Sequence, residues 1–133
     1  MKQNCNHIGL ITGNADILVK FYKEKLGSRE SGARLIPALL MKKLFGLPCE
    51  CQMTKLVLGE IGLEIFNPAG IDISLRTEET SGLNHWGLNV SDKESFCRDL
   101  ASKGVEIIKA SNKDRYIYFI KDPEGNRIEV FDK

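Results

Sequence analysis

The segment HIGL at residues 7–10 returns as HWGL at residues 85–88, and this repetition governs how the rest of the chain is interpreted. Each copy is followed by an amphipathic segment that ends at a glycine. Further on, each half contains one glutamate between apolar neighbours, in GLEIF at 62–66 and in RIEVF at 127–131. Two copies at this spacing indicate a duplicated supersecondary unit rather than a long repeat array.

Within each half the hydrophobic pattern predicts the element order β-α-β-β-β, and therefore an α+β fold. Alternating polar and apolar residues predict the strands. Apolar residues on one helical face, followed by Gly27 or Gly104, predict the helices, and Ser91 with Glu94 fits a capping box for the second one. The expected organisation is a single domain, 1–133, with a first unit 1–67 that contains an insertion 35–52, a linker 68–82 and a second unit 83–133.

Composition and charge exclude several classes of protein. The 133 residues fit one domain, and 19 Lys and Arg against 18 Asp and Glu give a net charge of +1, so nothing favours a nucleic-acid partner. There is no apolar run of about 18 residues that would predict a membrane span. We therefore expect a cytoplasmic protein with reduced cysteines, and the Cys49-x-Cys51 pair is interpreted as ordinary packing.

Four ionisable side chains stand inside otherwise apolar strands: His7, Glu64, His85 and Glu129. Because side chains alternate along a strand, their apolar neighbours point to the opposite face, which can pack under a helix. A carboxylate shielded in a sheet is costly unless it is paired or coordinated, and two nearby carboxylates repel each other. A divalent cation (nickel, zinc, cobalt, manganese or ferrous iron) removes this conflict. The repeat favours a shared metal site over four structural residues.

The segments NHWGLNVSD and KDPEGNRIEVFD, with HIGL, KEKLG and GLEIF, are similar to signatures of the vicinal oxygen chelate superfamily. The resemblance covers essentially the whole chain and is closest to the metal-dependent members that are like glyoxalase I. It implies an open, barrel-like, eight-stranded mixed sheet with the helices outside, and a homodimer. It also implies that a divalent metal is bound by His7, Glu64, His85 and Glu129.

The same resemblance implies a metal-dependent lyase or isomerase whose small substrate chelates the metal through neighbouring oxygens. Glu129 is then the first candidate for the base that moves a proton, and Glu64 is its partner. The stretch 8–12 lacks Lys and Arg, which argues against glutathione as the substrate. Predicted pocket residues are Phe119, Tyr116, Leu39 and Leu44. Solvated surface charge is the default interpretation of four cationic residues that are also candidate anchors for an anionic substrate group: Arg34, Lys42, Lys43 and Arg115.

Two other functions stay open. His7, His85 and Glu129 are the donor set of a ferrous extradiol-type dioxygenase, although that function leaves Glu64 unexplained. The other alternative is a metal-free protein that binds a drug or a metabolite, as resistance proteins do. Such a protein would bind its ligand equally well in the presence of a chelator.

Overall fold

The computed structural model describes all residues from Met1 to Lys133. The predicted α+β class and the tandem β-α-β-β-β units are confirmed. The chain divides into two compact units, Met1–Ser74 and Leu75–Lys133, and this division falls inside the predicted linker 68–82. The first unit contains β1 (His7–Ile11), α1 (Ala15–Glu24), β2 (Arg29–Ile36), α2 (Ala38–Phe45), β3 (Cys51–Leu58) and β4 (Ile61–Pro68). The second contains β5 (His85–Val90), α3 (Lys93–Ser102), β6 (Ile107–Asn112), β7 (Arg115–Lys121) and β8 (Arg127–Asp132).

Eight strands are present, and they hydrogen-bond as two open sheets of four rather than as one continuous sheet. The strand order is β1-β4-β3-β2 in the first unit and β5-β8-β7-β6 in the second. The first and last strands of each unit run parallel, and the other neighbours are antiparallel. This topology places the strand that bears the histidine directly beside the strand that bears the glutamate.

In the first unit α1 covers one face of the sheet. Leu18 and Tyr22 of this helix are fully buried, and so are Leu63 and Ile65 of β4. Burying one aliphatic side chain of this size stabilises the fold by about 1.5–3 kcal/mol. Because side chains alternate along β4, the burial of Leu63 and Ile65 turns Glu64 to the opposite face of the sheet.

The second unit repeats this arrangement. Leu100 of α3 is buried, as are Ile128 and Val130 of β8. The residue between them, Glu129, therefore points to the face that α3 does not cover. The same alternation thus brings the repeated glutamate out of the core in both units.

The predicted capping box at the start of α3, Ser91 with Glu94, is wrong. The N-cap is Asp92, whose Oδ1 accepts a hydrogen bond from the backbone N–H of Ser95 at 3.0 Å. Aspartate and serine are about equally good N-caps, so the sequence pattern does not distinguish two adjacent candidates.

The first unit has an additional short helix, α2, which lies between β2 and β3 within the predicted insertion. It begins after Pro37 and ends at Gly46, whose φ of 71° is the left-handed conformation that favours glycine after a helix. In the second unit β6 and β7 are joined by a tight turn instead. The predicted insertion, 35–52, also includes the end of β2 and the start of β3, because apolar residues continue from the helix into both strands. None of the three helices combines the length and the hydropathy needed to cross a membrane.

Candidate metal centre

Each unit brings its histidine to its glutamate. In the first unit Nε2 of His7 lies 3.4 Å from Oε1 of Glu64. In the second unit Nε2 of His85 lies 3.2 Å from Oε2 of Glu129. Neither unit by itself adds a third His, Cys, Asp or Glu side chain to its pair. Each unit therefore offers one imidazole and one carboxylate.

An asparagine precedes each histidine and fixes its ring. Oδ1 of Asn6 lies 2.7 Å from Nδ1 of His7, and Oδ1 of Asn84 lies 2.7 Å from Nδ1 of His85. An amide oxygen only accepts hydrogen bonds, so Nδ1 carries a proton, and Nε2 is the ring nitrogen that faces the glutamate. The tetrapeptide repeat alone misses both asparagines, whereas the longer pattern NHxGL contains them.

When the ring is neutral, its Nε2 and the carboxylate are two acceptors that face each other. A neutral imidazole with its proton on Nδ1 and an ionised carboxylate direct lone pairs into the same gap. This contact is unfavourable unless a proton or a cation lies between the two groups. Histidines that bind metals commonly donate one ring N–H to an oxygen and turn the other nitrogen to the metal. The donor chemistry of His7, Glu64, His85 and Glu129 therefore fits a divalent cation.

The aromatic residues of β7 divide between the two faces of the second sheet. Phe119 stands opposite Glu129 in the β7–β8 pairing, and its ring lies edge-on to His85 with 5.0 Å between centroids. Tyr116 shares the other face with Tyr118, where Nζ of Lys109 lies 4.2 Å above the Tyr116 ring. Phe119 thus lies beside the His–Glu pair as a pocket residue would. The assignment of Tyr116 is corrected, because alternation along β7 turns it away from the pair.

An apolar cavity of about 320 Å³ opens on the face of the first sheet that carries His7 and Glu64. Leu39 and Leu44, the predicted pocket residues of α2, are not among its lining residues and are 81% and 60% exposed. Their place in a substrate pocket stays a prediction; in this unit they lie on the exposed side of α2, because apolar residues occur all round the helix and their spacing does not select the inward face. The lining residues are Gly9, Leu10, Ile11, Met41, Phe45, Leu47 and Phe66.

A second cavity, of about 300 Å³, lies on the β2–β3 side of Glu64. Two cationic side chains line it, Arg34 of β2 and Lys55 of β3. Lys55 stands opposite Glu64 in the β3–β4 pairing, yet the glutamate contacts His7 and makes no ion pair with the lysine. The other predicted anion anchors, Lys42, Lys43 and Arg115, are not among the residues that line it.

The four cysteines are free thiols. Cys51 is fully buried in a cluster with Ile36, Met41 and Met53, which makes it part of the core. Burial raises the pKa of the Cys51 thiol, and it raises that of Cys97 to about 11. Both thiols are therefore protonated at neutral pH, which agrees with a packing role.

Comparison with known proteins identifies the family. The sequence profile of the Glyoxalase/Bleomycin resistance protein/Dioxygenase superfamily matches residues 4–130. The match spans nearly the whole chain, so the protein belongs to this superfamily. The resemblance carried by the NHWGLNVSD and KDPEGNRIEVFD segments is confirmed at that level.

Several solved structures have the same fold. The glyoxalase family protein of Enterococcus faecalis has a TM-score of 0.75 and 23% identity, over 96% of each chain. The trypanothione-dependent glyoxalase I of Leishmania major has a TM-score of 0.72 and 21% identity, over 98% of this chain and 87% of that one. The fosfomycin resistance protein FosX of Mesorhizobium loti has a TM-score of 0.66 and 14% identity, over 98% of this chain and 91% of that one. At these identities the likeness shows the fold alone.

Proposed function

We propose that this protein is a metal-dependent lyase or isomerase of the glyoxalase I type, acting on a small substrate with two neighbouring oxygens that chelate the metal. The observation that carries the proposal is the contact between a histidine Nε2 and a glutamate carboxylate in both units, with Nδ1 of each ring held by an asparagine oxygen. Membership of the superfamily supports it. So does the likeness in fold to the glyoxalase I of Leishmania major.

The proposed ligand set is His7 and Glu64 from the first unit and His85 and Glu129 from the second. Nickel, zinc, cobalt, manganese and ferrous iron all accept two imidazoles and two carboxylates, and octahedral coordination leaves two positions for substrate oxygens. When bound, the cation supplies Lewis-acid stabilisation of negative charge that develops on a substrate oxygen. The set needs both units, from one chain or from the two copies of a proposed homodimer.

Glu129 is the proposed base. Its carboxylate takes a proton from the substrate carbon beside the chelating oxygens, and Glu64 is its proposed partner in the transfer. Alternation along β8 places the Glu129 carboxylate on the uncovered face of the sheet, 3.2 Å from Nε2 of His85. The ring of Phe119 packs edge-on against His85 and would offer an apolar contact to a substrate bound there.

Two cavities of the first unit, one of them lined by Glu64, suggest which other groups the substrate carries. The apolar cavity suits a small hydrocarbon group, and the cavity with Arg34 and Lys55 suits a carboxylate, phosphate or phosphonate. We therefore propose a chelating substrate with one apolar group and one additional anionic group. The absence of Lys and Arg from 8–12 still argues against glutathione.

The contact of Glu64 favours this function over the dioxygenase. A ferrous dioxygenase needs only His7, His85 and Glu129, so Glu64 would have no role. Glu64 nevertheless contacts Nε2 of His7 through one carboxylate oxygen, at nearly the same distance as Glu129 contacts Nε2 of His85. Two equivalent pairs are what a site with four protein ligands requires.

Metal analysis of the purified protein tests the proposal. The protein is stripped with a chelator, reloaded with each divalent metal and analysed for bound metal. We expect about one ion per chain, bound by two imidazoles and two carboxylates. Glu64→Gln and Glu129→Gln should each weaken binding and abolish turnover. Glu60→Gln is the matched control, because Glu60 is exposed in the β3–β4 turn.

Other results would assign another function. Unchanged metal binding in both glutamine variants would contradict the proposed ligand set. Oxygen uptake by the ferrous protein with a catechol would identify the dioxygenase instead. Tight ligand binding that a chelator leaves unchanged would identify the metal-free binding protein.

A further inference from the structure

The segment 76–84, just before β5, is organised around Glu79. Nη1 of Arg127 donates to Oε2 of Glu79 at 2.6 Å, and Nδ2 of Asn84 donates to Oε1 at 2.6 Å. Nη2 of Arg76 adds a third contact, at 3.3 Å to Oε1. The backbone N–H of Arg76 donates in turn to the carbonyl of Glu124, which ties the segment to the β7–β8 turn. Glu79 therefore occupies a fixed position in the second unit.

A continuous chain of contacts leads from Glu79 to the candidate metal ligand. Asn84 donates to Glu79 through Nδ2, and its Oδ1 then lies 2.7 Å from Nδ1 of His85. A carboxylate only accepts hydrogen bonds, so it must meet the NH₂ end of the amide and leaves the oxygen for the imidazole. The hydrogen bonds from Arg127 and Asn84 lower the pKa of Glu79 to about 2, so the carboxylate is ionised at neutral pH. The orientation of the amide, and with it the tautomer of His85, follows from Glu79.

Glu79 also keeps the guanidinium of Arg127 away from Glu129, the other candidate metal ligand of the second unit. Arg127 and Glu129 are two residues apart on β8, so their side chains start from the same face of the sheet. Because Arg127 donates to Glu79, its charge is compensated there. Without Glu79 the guanidinium would be free to pair with Glu129 and compete with a cation. In the first unit the equivalent position, opposite His7, is Gly62.

The two units differ in this respect. Asn6 contacts His7 as Asn84 contacts His85, but no carboxylate holds the amide of Asn6. Because Gly62 stands where the second unit has Arg127, the first unit has no cation at that position, beside its histidine. The contacts of Glu79 therefore have no counterpart in the first unit.

We propose that Glu79 is a positioning residue that sets the tautomer of His85 through Asn84 and keeps Arg127 away from Glu129. The effect on metal binding rests on the proposed function, whereas the effect on the tautomer does not. Glu79 itself touches neither the metal ligands nor the substrate site.

The tautomer is measured on the metal-free protein, labelled with ¹⁵N-histidine, by long-range ¹H–¹⁵N correlation. The chain contains two histidines, so His7 is an internal reference. In the natural protein we expect the neutral ring of His85 to carry its proton on Nδ1. In Glu79→Gln the carboxamide can donate as well as accept, and the two tautomers of His85 should mix. The spectrum of His7 should not change.

Two further variants define the chemistry. Glu78→Gln removes the same charge one residue away and should leave both histidines unchanged. Glu79→Asp retains a carboxylate that only accepts, and it should restore much of the preference of His85. Zinc affinity, measured by competition with a chromophoric chelator, should fall about tenfold in Glu79→Gln, as is typical when a group behind a ligand is removed.

Unchanged tautomers in Glu79→Gln would overturn the proposal. If that variant does not fold, Asn84→Ala interrupts the same chain of contacts, and an unchanged His85 spectrum there would overturn it equally. If the natural protein binds no zinc, the proposed metal site is refuted, and the tautomer experiment still decides the role of Glu79. Altered tautomers with unchanged zinc affinity would overturn the part of the proposal that concerns Arg127 and metal binding.

Discussion

Arg34 and Lys55 are the two side chains that favour an anionic group on the proposed substrate. Both line the cavity beside Glu64, and neither makes an ion pair within the chain. A carboxylate paired with either would mark a structural role. Two cationic side chains without an ion pair, beside the proposed metal ligand Glu64, instead favour an anionic group on the proposed substrate. The sequence identifies Arg34 as one of several candidate anchors, but only the pairing of β2 with β3 brings it to Lys55.

This assignment is tested with two chelators that share one metal-binding group. Acetohydroxamate and phosphoglycolohydroxamate differ by the phosphate, and we expect the zinc-loaded protein to prefer the phosphorylated one. The double variant Arg34→Gln/Lys55→Gln should lose roughly tenfold in that preference, because two charge-assisted contacts disappear. Isothermal titration calorimetry measures both affinities.

The matched control is Lys2→Gln/Lys20→Gln, which changes the net charge equally at exposed positions. It should reproduce the preference of the natural protein. An equal loss in both double variants would show that only net charge matters, which would contradict a specific anion site. The preference should also decrease as salt is added, since exposed charges are screened.

At the level of a single element, the sequence pattern of α2 predicts a helix, but packing decides which of its faces is buried. Met41 is 1% exposed and packs against Ile36, Cys51 and Met53, whereas Leu39 is 81% exposed. Met41→Ala should therefore lower the free energy of unfolding by about 2–4 kcal/mol through lost burial and a cavity. Leu39→Ala should change it by less than about 0.5 kcal/mol. Urea denaturation of the two variants measures the difference, and equal effects would contradict the orientation of α2.

The elements were largely predictable because each has a strong local signal. Glycines end the two long helices, and alternating residues mark the strands. The inward face of α2 was not predictable, because ALLMKKLF has apolar residues on every side. The division of the eight strands into two sheets was also beyond the sequence, since it depends on which strand edges hydrogen-bond.

The part of the candidate site that occurs in both units was predictable, because the sequence repeat reveals it. His7, Glu64, His85 and Glu129 stand at equivalent positions of the two units, and each histidine meets its glutamate. Glu79 has no counterpart in the first unit, so no repeat could reveal it. Its role follows from contacts with residues as distant in sequence as Arg127.

At the scale of the whole molecule, the proposed ligand set predicts that one metal ion needs donors from both units. Each unit offers only two donors, fewer than the four that a stable zinc site usually has. We therefore expect each single variant, His7→Ala or His85→Ala, to bind zinc at least about 100-fold more weakly, with no zinc left at the original affinity. This loss exceeds the one that is typical when a residue that only hydrogen-bonds to a metal ligand is removed. The loss of zinc-binding free energy in the double variant should be smaller than the sum of the two single losses, since in the proposed ligand set both histidines bind the same ion. Zinc titrations that give both stoichiometry and affinity measure this. If each pair bound its own ion, about half of the zinc in each single variant would keep its original affinity, and the two units would then be independent sites.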